Sequence, residues 1–161
     1  MDSRLQPVAQ IFTLSEGLYR KSLNGLTRDE LLRSPGESSN SMLWIAGHLA
    51  HTRYLLLNLL GANKKKPWDD IFARGAEKDN EPGKYPGIEE IMSVWDEATR
   101  ELYERFEKLT AAELEGASPR ELPSVEKTFL GALSFFAFHE TYHVGQLAYI
   151  LKWLGKGQLV G

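Results

Sequence analysis

Four long stretches of this chain carry apolar residues at the three-and-four spacing of an amphipathic helix, and none alternates apolar with polar between hairpin turn signals. That contrast predicts helices and leaves no basis for a sheet. The first stretch runs from about residue 3 to Leu23, with Leu5, Val8, Ile11, Phe12, Leu18, Tyr19 and Leu23 in register and Asn24-Gly25 as its stop. Thr27-Arg28-Asp29-Glu30 has the spacing of a capping box, in which the Thr27 hydroxyl and the Glu30 carboxylate satisfy free amides of a short turn closed by Ser34-Pro35-Gly36. The second long helix is expected from Asn40 or Ser41 to Leu60, ahead of Gly61. The third fits Ile88 to about Leu109, with Glu89 and Glu90 in the first turn, where carboxylates favour the helix dipole. Thr110 to Pro123 is a connection with a short turn at Ala111 to Leu114, and the fourth helix is expected from Ser124 to Leu154, starting through Ser124-Val125-Glu126-Lys127.

Between the second and third helices lie 27 residues, Gly61 to Gly87, which include Pro67, Pro82 and Pro86. Antiparallel neighbours need only a few linking residues, so a connection of this length suits a crossover that lays the two helices parallel. Trp68, Ile71 and Phe72 are where it is expected to pack down, and Trp68 and Phe72, if exposed, would instead roof a pocket. The expected architecture is an all-α four-helix bundle, one domain over residues 1–161, long enough to bury a single core.

A formal charge of -3 and a pI near 5.8 give no field for nucleic acid, and the one basic cluster, Lys64-Lys65-Lys66, reads as a solvated loop. With no cysteine there is neither a disulfide nor a thiolate ligand, so any thiol used in chemistry must be brought in. The polar start Met1-Asp2-Ser3-Arg4 lacks an apolar signal core, and no apolar run of about 18 residues spans a membrane. A cytoplasmic protein with no membrane or nucleic-acid partner is the default expectation.

The chemistry concentrates in His139-Glu140-Thr141-Tyr142-His143, an H-E-x-x-H run on the fourth helix. Histidines four residues apart share a helix face, so both imidazoles reach a single divalent ion. The two remaining histidines, His48 and His51, sit on the second helix, about 60° apart around its axis. His48 is the expected third ligand because Trp44, His48 and Leu55 form an inward line, whereas His51 precedes Thr52 and Arg53 at the start of a more polar patch. Three neutral imidazoles would make an open centre of the catalytic kind, suited to zinc or nickel and acceptable to iron or manganese. Glu140 occupies the position of the general base in H-E-x-x-H zinc peptidases. A peptidase is not expected, however, because the 18 residues after His143 contain no aspartate, glutamate or histidine for the downstream ligand.

With these residues in view the chain resembles the DinB-like superfamily, which includes YfiT-type metal-dependent hydrolases. The resemblance rests on Leu26-Thr27-Arg28-Asp29-Glu30-Leu31, on Trp44-Ile45-Ala46-Gly47-His48-Leu49, and most specifically on His139 to Leu147 followed by Leu151 to Gly155. It implies a four-helix bundle with a long crossover and three metal-binding histidines at His48, His139 and His143. Some members carry a further histidine and an arginine flanking the last ligand, where this chain has Tyr142 and Val144. Family activities include hydrolysis and transfer or isomerisation with low-molecular-weight thiols, the metal activating an incoming thiolate.

The leading expectation is an enzyme using a divalent metal on a small-molecule substrate, with a low-molecular-weight thiol as an optional cosubstrate. His48, His139 and His143 would hold the metal, Glu140 would accept a proton, and Tyr142 and Gln146 would orient a ligand. The alternatives are a non-catalytic metal-binding or stress-associated bundle, and a structural bundle forming a homodimer through an apolar helix face. Gly47, Gly131 and Gly145 would permit close helix approach in any of these.

Overall fold

The computed structural model describes residues 1–73 and 82–160. Its helices are α1 (Gln6–Leu23), α2 (Arg28–Leu32), α3 (Met42–Leu59), α4 (Asp69–Phe72), α5 (Ile88–Phe106), α6 (Ala111–Glu115) and α7 (Phe129–Trp153), with a 3-10 turn at Pro82–Lys84. The four long helices are those expected; α2, α4 and α6 are short turns within the connections. Among the described residues no strand occurs, only an isolated bridge between Ala117 and Thr128.

Capping chemistry sets most of the ends. The box at Thr27 and Glu30 forms in both directions, and Thr110 and Glu113 form a second one at α6. The Ser41 hydroxyl caps α3 by accepting from the Trp44 amide. Three boundaries differ from expectation. α1 begins at Gln6, after a turn in which the Leu5 amide bonds the Asp2 carbonyl, and α5 stops at Phe106. α7 begins at Phe129, not Ser124, because residues 116–118 and 127–129 pair instead: the Phe129 amide donates to the Gly116 carbonyl and the Ser118 amide to the Lys127 carbonyl. Thr128 then caps the helix by accepting from the Gly131 amide at 3.0 Å.

The directions of the long helices follow from their pairings. Arg53 reaches Thr99 while Arg105 reaches the Leu60 carbonyl, so α3 and α5 ascend together, as the long connection implies. Ser15 bonds Thr141, and Lys21 bonds the Leu159 carbonyl beyond the end of α7, so α1 and α7 also run together. Tyr19 donates to the Ala46 carbonyl, while Phe12 and Leu56 line one cavity, which sets the two pairs antiparallel.

Two apolar clusters fill the bundle. One gathers Tyr19, Met42, Ile45, Phe72, Trp95 and Leu147; the other gathers Phe12, Leu57, Leu102, Phe106, Leu133 and Phe136. Buried polar side chains of α3, α5 and α7 lie along the same helices: His48, His51, Arg53, Thr99, Glu140 and His143. Burying a polar group is costly unless it is paired. Their pairing defines the candidate centre.

Candidate metal centre

His48, two turns into α3, meets His139 and His143 from the middle of α7, and one ring nitrogen of each lies within 4.8 Å of the other two. Nε2 of His139 is 3.3 Å from Nε2 of His48 and 3.2 Å from Nε2 of His143. Four-residue spacing on a continuous helix brings the α7 pair together edge-on, with ring centroids 4.5 Å apart and an interplanar angle of 69°.

The far nitrogens settle the protonation pattern. Nδ1 of His48 is 2.8 Å from the Phe72 carbonyl, which can only accept, so Nδ1 carries the proton and Nε2 presents a lone pair. Nδ1 of His143 is 2.7 Å from Oε1 of Gln146, whose amide nitrogen donates to the Tyr142 hydroxyl at 3.3 Å. That orientation of the amide makes Gln146 an acceptor, so Nε2 of His143 is a lone pair as well. Two lone pairs therefore face Nε2 of His139, an arrangement that one shared proton satisfies incompletely and a cation satisfies fully. Tetrahedral zinc with Zn–N near 2.05 Å places ligand nitrogens about 3.3 Å apart. The residues present fit a divalent metal.

Electrostatics keep the rings neutral. Burial pulls His48 down to about 4, against the Phe72 carbonyl and with help from the neighbouring His143 and His51. Burial, then His143 and His48, pull His139 down to about 3. His143 is lowered by burial, opposed by Gln146. Such imidazoles are unprotonated at neutral pH, the state that metal coordination requires. The Trp44 ring stacks on His48, with centroids 4.9 Å apart and an interplanar angle of 9°. Nδ1 of His139 is buried and has no partner among the described residues.

His51 lies outside this trio. Only 4% exposed, it donates from Nδ1 to the Pro67 carbonyl at 2.9 Å, and its Nε2 lies 3.4 Å from Asp69. The polar patch expected after it is not a surface. Arg53 is 1% exposed and grips both oxygens of Glu140, at 3.0 Å from Nε and 2.8 Å from Nη2, with its guanidinium 3.5 Å over the Trp95 ring and a further bond to Thr99. Glu140 is 3% exposed, and burial raises its carboxyl against the pull of Arg53. A cavity of about 10 Å³, lined among others by Thr52, Arg53, His139 and Glu140, lies between the ion pair and the histidine.

Three partners escaped the sequence reading. The carbonyls of Phe72 and Pro67 are backbone groups, which no residue identity announces. Arg53 was legible in principle: α3 is apolar nearly all round, so a charge inside it must meet a buried opposite charge, and Glu140 sits in the other such helix. Trp68 and Phe72 pack rather than roof a pocket, Phe72 being 0% exposed. Of the three glycines, Gly47 faces the Phe72 ring and Gly131 the Glu126 carbonyl, while Gly145 meets nothing within 4 Å.

The sequence matches the family model of the DinB superfamily over residues 11–147, a span that contains all three histidines. No curated protein matches it. No helix among the described residues is long and apolar enough to cross a membrane.

Proposed function

The chain belongs to the DinB superfamily, and we propose that His48, His139 and His143 hold a divalent metal, zinc or nickel before iron or manganese, with which the protein acts on a small substrate. The reaction is hydrolysis or transfer of a low-molecular-weight thiol supplied from solution. One observation carries this reading: three Nε2 atoms converge while the Nδ1 atoms of two are tied to acceptors. When bound, the metal supplies Lewis acidity and a lowered pKa for the attacking nucleophile.

The chain's own residues orient and exclude. The Phe72 carbonyl and Gln146 fix two ring orientations, and Trp44 covers one face of His48. Each Glu140 oxygen keeps a second lone pair, but with both held by Arg53 and the side chain 3% exposed, the carboxylate is better suited to anchoring α7 on α3 than to accepting a proton. That commitment is also what favours the second reading, a metal-binding bundle without turnover.

Metal content of the purified protein beside His139→Ala tests the centre, with loss of the metal expected in the variant and equal content refuting the ligand set. Metal-loaded protein assayed on ester, amide and thiol-electrophile panels then separates the two readings. Turnover in any panel that disappears in His139→Ala supports the enzyme; silence in all three favours the binder.

A further inference from the structure

We propose that crossover residues 67–72 are a working part of the metal centre, so that docking of this segment on α3 and loading of the three histidines form one coupled equilibrium. The inference rests on the metal-site reading above and goes beyond it in assigning positioning roles to Gly47, His51, Pro67 and Phe72.

The coupling runs through one imidazole. A neutral ring that coordinates through Nε2 keeps its proton on Nδ1, and a buried Nδ1–H is stabilised by an acceptor, which His48 has and His139 lacks among the described residues. For His48 that acceptor is the Phe72 carbonyl at 2.8 Å. In the other direction, the docked carbonyl selects the Nδ1–H tautomer and so presents the lone pair that a metal requires. Neither state of His48 is indifferent to whether the segment is in place.

The segment is built to stay there. The Ile71 and Phe72 amides both bond the Trp68 carbonyl at 3.0 Å, making a closed turn. The Phe72 ring lies 6.0 Å from Tyr85 in a stacked pair, meets Trp68 and Trp44 edge-on at 5.7 and 6.4 Å, and occupies the space where a side chain at position 47 would be. One turn further along α3, His51 holds the Pro67 carbonyl. Two histidines three residues apart thus grip two carbonyls of one segment; only His48 also faces the cluster of Nε2 atoms.

Linkage makes the effect reciprocal: whatever undocks the segment must weaken metal binding by the factor with which metal tightens docking. Gly47→Ala isolates this. Its Cβ overlaps the Phe72 ring and so pushes the segment off α3, while no histidine and no hydrogen-bonding group is removed and alanine favours the helix that carries it. Zinc affinity, measured by competition with a chromophoric chelator, is expected to fall about 10- to 100-fold, the usual effect of losing a ligand's outer partner. Long-range proton–nitrogen NMR of the metal-free protein should show His48 as the Nδ1–H tautomer in the wild type and a mixture in the variant. His51→Ala is expected to weaken zinc binding, and His51→Asn, whose amide nitrogen stands at the position of Nδ1, to restore part of it.

Should Gly47→Ala fail to melt cooperatively, hydrogen exchange of the Ile71 and Phe72 amides in the wild type decides: zinc is expected to slow it about 10-fold or more. Exchange indifferent to zinc, or a folded Gly47→Ala that binds zinc as the wild type does, overturns the coupling alone. A wild type that binds none of zinc, nickel, iron(II) or manganese(II) overturns the reading of the centre itself.

Discussion

Removing the Glu140 carboxylate should cost this protein far more than removing Arg53 and Glu140 together. Both side chains are within a few per cent of complete burial, and the guanidinium has its Nε and Nη2 on the carboxylate, a bond to Thr99 and the Trp95 face at 3.5 Å. Glu140→Leu leaves that cation in the core with only a hydroxyl and a ring, and an uncompensated buried charge costs about 3–5 kcal/mol. For a chain of this length each kcal/mol lowers the melting temperature by about 2–4 °C, so a fall of roughly 6–20 °C is expected. Arg53→Met combined with Glu140→Leu removes both charges, and Thr99 still donates to the Trp95 carbonyl at 2.6 Å. The double variant should therefore melt within about 4 °C of the wild type, since apolar replacements of buried pairs are often neutral. Thermal denaturation of the four proteins, followed by circular dichroism, completes the cycle. A single variant as stable as the wild type, or a double variant as unstable as the worse single, refutes the argument. The same double variant examines Glu140 chemically: zinc affinity and any turnover that survive in it identify an anchor, and turnover lost with the fold and metal site intact identifies a proton acceptor.

Acid should unsettle the metal-free protein through its histidines. With His48 lowered to about 4 and His139 to about 3 from an ordinary 6.5, the unfolded chain binds more protons, so their contribution is complete above pH 6.5 and is lost as pH falls toward 4. Unfolding free energies from urea titration should fall further between pH 7 and pH 5 for the wild type than for His139→Phe, by on the order of 1 kcal/mol after allowing for solvent screening; parallel loss would refute it. Gly131→Ala and Gly145→Ala place the same methyl on the same helix with opposite results. The first drives a Cβ into the Glu126 carbonyl and should destabilise, while the second meets open space and should stabilise by up to about 1 kcal/mol. Equal melting temperatures for the two would contradict the packing of residues 116–128 on the start of α7.

What the sequence makes legible here is what side chains advertise. Apolar periodicity, the Thr27–Glu30 box and a 27-residue connection are statements about residue types, and they predict four long helices, a capped turn and the parallel pair α3 and α5. His139 and His143 were legible as a pair because four-residue spacing is a property of any helix; adding His48 required only that two helices face each other. The start of α7 was not legible at Ser124 because the competing structure, the pairing of 116–118 with 127–129, is made by backbone groups that look alike in every residue. The Phe72 carbonyl escaped for the same reason. Yet the sequence carries an indirect trace of it: a glycine within a strongly apolar helix is poor helix chemistry, and Gly47 is adjacent to His48 because the ring that brings that carbonyl to the imidazole needs the space a Cβ would fill. A helix-weakening residue beside a buried histidine is thus readable as the mark of a close approach, and in this bundle the approaching group is the one that fixes the proton of that imidazole.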